Sequence, residues 1–302
     1  MKGNPPRRHH YIPQFYLREW TSADGQLERY TKPYPNKLDI KRRPTKAVGW
    51  WLDLYRAPEN DPHQDHFLEW GFFKELDDRA ARVLRRLNAT PVPPLSAEEI
   101  STWSTFLMSL MHRTPEGLAA YKETGARVYD ETILEIRPQY LELRTADDPP
   151  TVEEYEASLT TEDRERSLMR NFAKVIANRN IGEFLCRLHW AVLDRPEGCP
   201  DYLLSDDPLI RTNGLKRSDG HLAIPVSPTR LALGAYEPKF VDEVRALNPR
   251  DLVTQINTYV VEGARHFVVS RDLRQTRFIS NRFGTNPRPG LARESGVTRS
   301  SR

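Results

Sequence analysis

The chain has 302 residues, 38% hydrophobic and 29% charged, with 6 Trp, 12 Tyr and 11 Phe, enough apolar material for a real core and too much for wholesale disorder. Its net charge of +3 is unevenly spread: residues 1–46 hold eleven Lys and Arg against four Asp and Glu, and residues 282–302 hold five Arg against one Glu, so the body between them is acidic. No window approaches the ~18 consecutive apolar residues of a membrane span, no apolar run follows Met1 to Pro6, and only Cys186 and Cys199 occur, so a cytoplasmic protein with free thiols is expected.

The first eighty residues read as short strands and loops. Leu27–Tyr30 follows the turn Asp24-Gly25, and Trp50–Tyr55 lies between Gly49 and Pro58. Asp61-Pro62 is a helix start, and Phe67, Trp70, Phe73, Leu76, Ala80, Val83, Leu84 and Leu87 follow at helical spacing. Pro91, Pro93 and Pro94 end that element. Ser96 with Glu99 is a capping box, and Ile100, Trp103, Phe106, Leu107, Leu110 and Met111 form one apolar face. Thr114-Pro115 breaks the helix, and another runs from Glu116 to about Arg137. Thr151 with Glu154 is a second capping box, and helical turns carry Leu168, Phe172, Val175, Ile176, Ile181, Phe184 and Leu185. Leu188–Leu193 and Tyr202–Ser205 read as a hairpin around Arg195–Gly198. Leu222–Pro225 and Leu231–Gly234 are further strands, Asn248-Pro249 starts a helix to about Glu262, and His266–Ser270 is the last strand. The fold expected is α+β: a helical middle over about 61–187, bracketed by strand-bearing ends that form a small mixed or antiparallel sheet. Without a clean linker, one interleaved domain over 1–281 is preferred to two, with 282–302 a basic, disordered tail.

Four places carry candidate chemistry. Arg7 to Arg18 packs His9, His10, Gln14, Arg18 and three aromatics into twelve positions, and adjacent histidines point different ways on either backbone period. Arg113, just before a helix break, is placed to hold an anion, although a lone arginine is more often salt-bridged. Ser205-Asp206-Asp207-Pro208 puts carboxylates at a strand end, where metal ligands and general bases occur, but Asp-Pro equally marks an ordinary turn. Ser227 and Asn257 could support such a site. His63, His66 and Glu69 resemble a ligand stripe, yet without a cysteine or second histidine pair they read as a solvated helical start. There is no Walker loop, dinucleotide-binding glycine pattern or nucleophile elbow, so no nucleotide or redox cofactor is expected.

Arg8-His9-His10-Tyr11-Ile12-Pro13-Gln14-Phe15-Tyr16-Leu17-Arg18, followed in order by Arg113-Thr114-Pro115, Ser205-Asp206-Asp207-Pro208, Ile224-Pro225-Val226-Ser227-Pro228 and Asn257, resembles a mostly bacterial family known only as domain of unknown function 4238. The resemblance runs from about residue 7 to 270; the family usually has Asn at the position of Asp207. It implies an intracellular protein and no particular activity. Scattered polar landmarks are what a composite site looks like. The expectation is therefore a hydrolase of phosphodiester bonds in nucleic acid or a nucleotide. His9 or His10 would be acid or base, with Asp206 catalytic. Gln14, Arg18, Arg113, Ser205, Ser227 and Asn257 would bind substrate, and Asp206 with Asp207 would hold Mg2+ or Mn2+. The alternative is a non-catalytic module that binds an anion or a partner chain. The opening motif itself is expected to be buried, with Asp206 or a backbone carbonyl as the partner of any buried histidine or arginine.

Overall fold

A computed structural model describes residues 7–34, 37–58, 66–212 and 214–287. The strands are β1 (Arg8–His10), β2 (Gln26–Tyr34), β3 (Lys37–Pro44), β4 (Trp50–Leu52), β5 (His189–Asp194), β6 (Leu204–Ser205), β7 (Ile210–Arg211), β8 (His221–Ser227), β9 (Arg230–Ala235) and β10 (Val268–Ser270). The helices are α1 (Gln14–Leu17), α2 (Lys74–Leu87), α3 (Ala97–His112), α4 (Pro115–Ile136), α5 (Tyr140–Leu143), α6 (Val152–Ser158), α7 (Thr161–Ile176), α8 (Arg179–Cys186), α9 (Pro238–Ala246), α10 (Pro249–Gly263) and α11 (Thr276–Arg282). The fold is α+β, with strand-rich ends flanking a helical middle.

Among the described residues, all strand pairs are antiparallel. β1 pairs with β4, β3-β2-β10-β6 form one sheet and β5-β9-β8-β7 another. The first four-stranded sheet joins the two ends of the fold, as β2 and β3 come from the N-terminal segment while β6 and β10 come from the C-terminal one. Periodicity did not reveal β3. It is a sheet edge whose Lys37, Lys41, Arg42 and Arg43 suit a strand that must not pair further. The expected hairpin of 188–193 with 202–205 does not form. β5 pairs with β9 instead, while 195–203 crosses the β8–β9 turn, where the Arg195 and Tyr202 amides donate to the Thr229 and Pro228 carbonyls, and delivers β6 to β10 in the other sheet.

The helical stops and starts follow local chemistry. Ser96 and Glu99 cap α3 reciprocally, and Thr114 accepts from the Gly117 amide with Pro115 at the first helical position of α4. Thr151 accepts from the Glu154 amide at α6, and Thr160 caps α7. The expected start at Asp61-Pro62 lies outside the described residues. The described helix enters α2 through a π-helical stretch, Leu68–Phe73, whose wider turn breaks the 3.6 period. Trp70 is consequently not on the buried stripe: it is 52% exposed while Leu68 and Phe73 are buried.

The opening motif is core. Tyr11, Ile12, Tyr16, Leu17 and Trp20 are buried in one cluster with residues of α2, α3, α7 and β8. The Trp20 indole N–H donates to the Tyr202 carbonyl at 2.8 Å. At the other end, Phe283 is buried in one cluster with Val261 of α10 and Val268 of β10; residues 288–302 lie outside the described residues. No described helix is long and apolar enough to cross a membrane.

Candidate functional site

The site grows from β1. A strand alternates its side chains, so His9 and His10 leave opposite faces of the ribbon made with β4. His9 is fully buried. Its Nδ1 accepts the Tyr55 backbone N–H at 2.9 Å, its Nε2 lies 3.0 Å from Nδ1 of His66, and its ring stacks on Tyr55. His66 is itself buried, which corrects the reading of a solvated helical start; His63 lies outside the described residues. Asp53, paired with Arg7, brings a carboxylate to the same place.

One ligand atom each from His9, Asp53 and His66 lies within 4.8 Å of the others, so this group could hold a metal ion. A histidine ligating through one nitrogen normally donates a proton from the other. His9 instead accepts a backbone N–H at Nδ1, so in the neutral ring the proton is on Nε2, the atom facing His66. A metal at Nε2 would require the Tyr55 contact to break. The observed hydrogen bonds suit a His9–His66 dyad.

His10 faces the other way, into a cleft of about 680 Å³ between the opening motif and α2. Gln14, Phe15 and Arg18 form one wall, and Glu69, Trp70, Lys74, Asp77, Arg82 and Arg85 the other. Two buried polar atoms here, His10 Nε2 and Glu69 Oε2, have no hydrogen-bond partner. Burial first, then the Arg113 charge, hold the His10 pKa down to about 4, against a hydrogen bond to the Lys46 backbone. The imidazole is therefore neutral, and with its bond made to Lys46 it leaves Nε2 unpartnered. Burial also pushes the Glu69 carboxyl up to about 7; the Asp77 charge adds to the rise, while Arg113 and the His10 backbone oppose it. A carboxyl that titrates near neutrality beside a neutral imidazole is equipment for proton transfer.

Arg113 lies behind this floor, 1% exposed. Its Nη1 and Nη2 donate to the two Asp77 oxygens at 2.8 and 3.1 Å, Nη2 also donates to the His10 carbonyl at 3.0 Å, and the guanidinium sits 4.5 Å over the Phe73 ring. It is a strut joining β1, α2 and the end of α3, and it is not open to a phosphate. Its carboxylate partner is Asp77. The opening motif's own buried histidine, His9, meets the Tyr55 amide and His66, where Asp206 or a backbone carbonyl was expected.

Asp206 does not line the cleft. It is buried, and its carboxylate accepts the backbone N–H groups of Arg265, His266 and Phe267 at 3.0 to 3.3 Å. Burial raises its pKa to about 6 against the His266 charge and those three bonds. The Ser205 hydroxyl donates to the Val260 carbonyl and accepts the Asp207 N–H. Asn257 accepts the Leu203 N–H and donates to the Asp201 carbonyl. Ser227 lies in the β8–β9 turn, 3.4 Å from the Thr229 hydroxyl. The Asp206, Ser205 and Asn257 side chains tie backbone together, so of the residues expected to form a site the structure gathers His10, Gln14 and Arg18 in the cleft and sets Arg113 behind it. Glu69 and Asp77, which sequence reasoning did not connect to them, complete it.

A family model described as protein of unknown function (DUF4238) matches residues 8–274. This chain belongs to that family. The matched region takes in the cleft, the His9–His66 dyad and the Asp206 turn. No curated protein and no solved structure matches the chain.

Proposed function

We propose that this DUF4238 protein hydrolyses a phosphodiester at the α2 cleft, with Glu69 as the proton acceptor. The observation that carries the reading is the half-buried Glu69 carboxyl, one oxygen of which is buried without a partner, held near a pKa of 7 in the lining of a cleft whose rim carries Arg18, Lys74, Arg82 and Arg85. The rim neutralises an anionic substrate. Substrate binding uncovers His10 Nε2, which is buried in the free protein, and the neutral ring then accepts a hydrogen bond that orients the attacking water. As the water oxygen bonds to phosphorus, its proton passes to Glu69; the ester P–O bond breaks and the leaving oxygen takes a proton from solvent. Asp77 and Arg113 hold the floor in place.

Purified protein would be assayed on bis(p-nitrophenyl) phosphate and on oligonucleotides, with and without Mg2+ or Mn2+. Glu69→Gln should lower kcat about 10²- to 10⁴-fold, and the wild-type rate should climb as pH rises through about 7, when Glu69 loses its proton. Hydrolysis that is unchanged in Glu69→Gln would remove the assignment.

A further inference from the structure

A second cleft, of about 870 Å³, lies beyond the first along α2, and Arg82 and Arg85 line both. Among the described residues, Arg18, Arg82 and Arg85 carry no ion pair, whereas Arg79, Arg86 and Lys74 are paired with Glu75, Glu99 and Asp78. Unpaired guanidinium groups held on a helix cost free energy through mutual repulsion and are relieved by an anion. From Lys74 to Arg86 the helix rises about 18 Å at 1.5 Å per residue, a path too long for one phosphate. At its start stands Trp70, 52% exposed, on the cleft wall next to Glu69. A large aromatic face left open beside a basic track is what stacks an unpaired base, because stacking needs a base free of its complement.

Resting on the hydrolase reading above, we infer that the substrate is single-stranded nucleic acid, with one base stacked on Trp70, the scissile phosphate at Glu69, and the following phosphates on Arg82 and Arg85 toward the second cleft. This distinguishes it from a mononucleotide, which would use the first cleft only, and from a duplex, whose bases cannot reach Trp70.

The test uses the full chain carrying Glu69→Gln, so that binding is read without turnover. Binding of fluorescent single strands of two, four and eight nucleotides, and of an eight-pair duplex, would be titrated across a salt series. Affinity should rise steeply from two to eight nucleotides and exceed that for the duplex. Arg82 and Arg85 are exposed, so their removal leaves the fold intact. Arg82→Gln with Arg85→Gln should flatten the plot of log affinity against log salt by about 1.4, since each single-strand phosphate contact contributes ~0.7. Trp70→Ala should weaken the single strand about tenfold or more while Trp70→Phe restores most of it. A salt slope unchanged in the double variant, or a duplex bound as well as the single strand, would overturn the inference. If bis(p-nitrophenyl) phosphate is cleaved through Glu69 but no oligonucleotide binds, this inference fails and the hydrolase reading stands. If the length and salt behaviour appear although Glu69→Gln still turns over, the track is upheld and the assignment of Glu69 falls.

Discussion

His9 and His10 are neighbours in sequence whose neutral rings take opposite tautomers. In a neutral His9 the proton points at His66, because Tyr55 donates to its Nδ1, while His10 Nε2 is buried without a hydrogen-bond partner. Their roles should separate in the same way. His66→Ala removes the ring nitrogen that faces His9 Nε2 at 3.0 Å inside the fold and should cost about 1–3 kcal/mol, read from denaturant midpoints; His10→Ala should act chiefly on turnover. A His66→Ala protein as stable as wild type would show that the dyad does not hold the segment, and a chelator-induced fall in Tm of the wild type would show an ion between the rings. The sequence displayed both histidines and their divergence, since alternation needs only the backbone period. It did not display their partners. His66 and Glu69 reach the opening motif across more than fifty residues, and no local pattern records such a contact. The polar landmarks misled for a related reason: Asp206 and Asn257 bind backbone from distant segments, and a carboxylate committed to three N–H groups looks, in sequence, like one waiting for a metal.

At the level of elements, the signals that proved readable were those decided within one turn of chain: the Ser96–Glu99 box, the Thr114-Pro115 break and the Asn248-Pro249 start. Where geometry departs from the regular period, reading failed, and the π-helical Leu68–Phe73 is the instance that matters for function. Its wide turn puts Leu68 and Phe73 in the core and leaves Glu69 and Trp70 to the cleft. Deleting Gly71, which has open space around it, should let this stretch relax toward an ordinary α-helix and rotate Glu69 out of the cleft. The protein should keep its far-UV circular dichroism and lose hydrolysis; retained activity would show that the wide turn is incidental. The β1–β4 ribbon depends on a different local feature. Gly49 has φ +67°, its carbonyl accepts the Tyr11 and Ile12 amides, and an added Cβ would stand 3.0 Å from the Ile12 Cβ. Gly49→Ala should therefore destabilise by more than ~1 kcal/mol, visible as a lower denaturant midpoint.

For the molecule as a whole, one buried and three half-buried groups set opposing pH dependences. Glu69 and Asp206, raised to about 7 and about 6, contribute most when protonated; their contributions are complete below the unfolded values of 4.5 and 3.8 and are lost as pH climbs through the folded ones. His10 and His112, both held down to about 4 chiefly by burial, contribute fully above 6.5 and lose it as pH falls through 4. Between these limits the pairs oppose each other. Removing one carboxyl should expose the imbalance: the stability of Glu69→Gln relative to wild type should increase from pH 4.5 to 7, measured by denaturant midpoints, and a flat difference would mean that Glu69 titrates at its ordinary value. The α+β class was legible because strand-like ends and a helical middle differ in period and in proline and glycine usage. The joining of the ends was not written locally at all. Tyr30 of β2 meets Ser270 of β10 across 240 residues. A ribosome adding ~5–20 residues per second needs on the order of 10–50 s to supply that partner. Throughout that interval the nascent β2–β3 hairpin is guarded on its outer side by the lysines and arginines of β3, while the inner backbone edge of β2 stays open. Ribosome-arrested chains that stop before Val268 should therefore be clients of holding chaperones and aggregate without them, and the same chains extended through Ser270 and out of the exit tunnel should not.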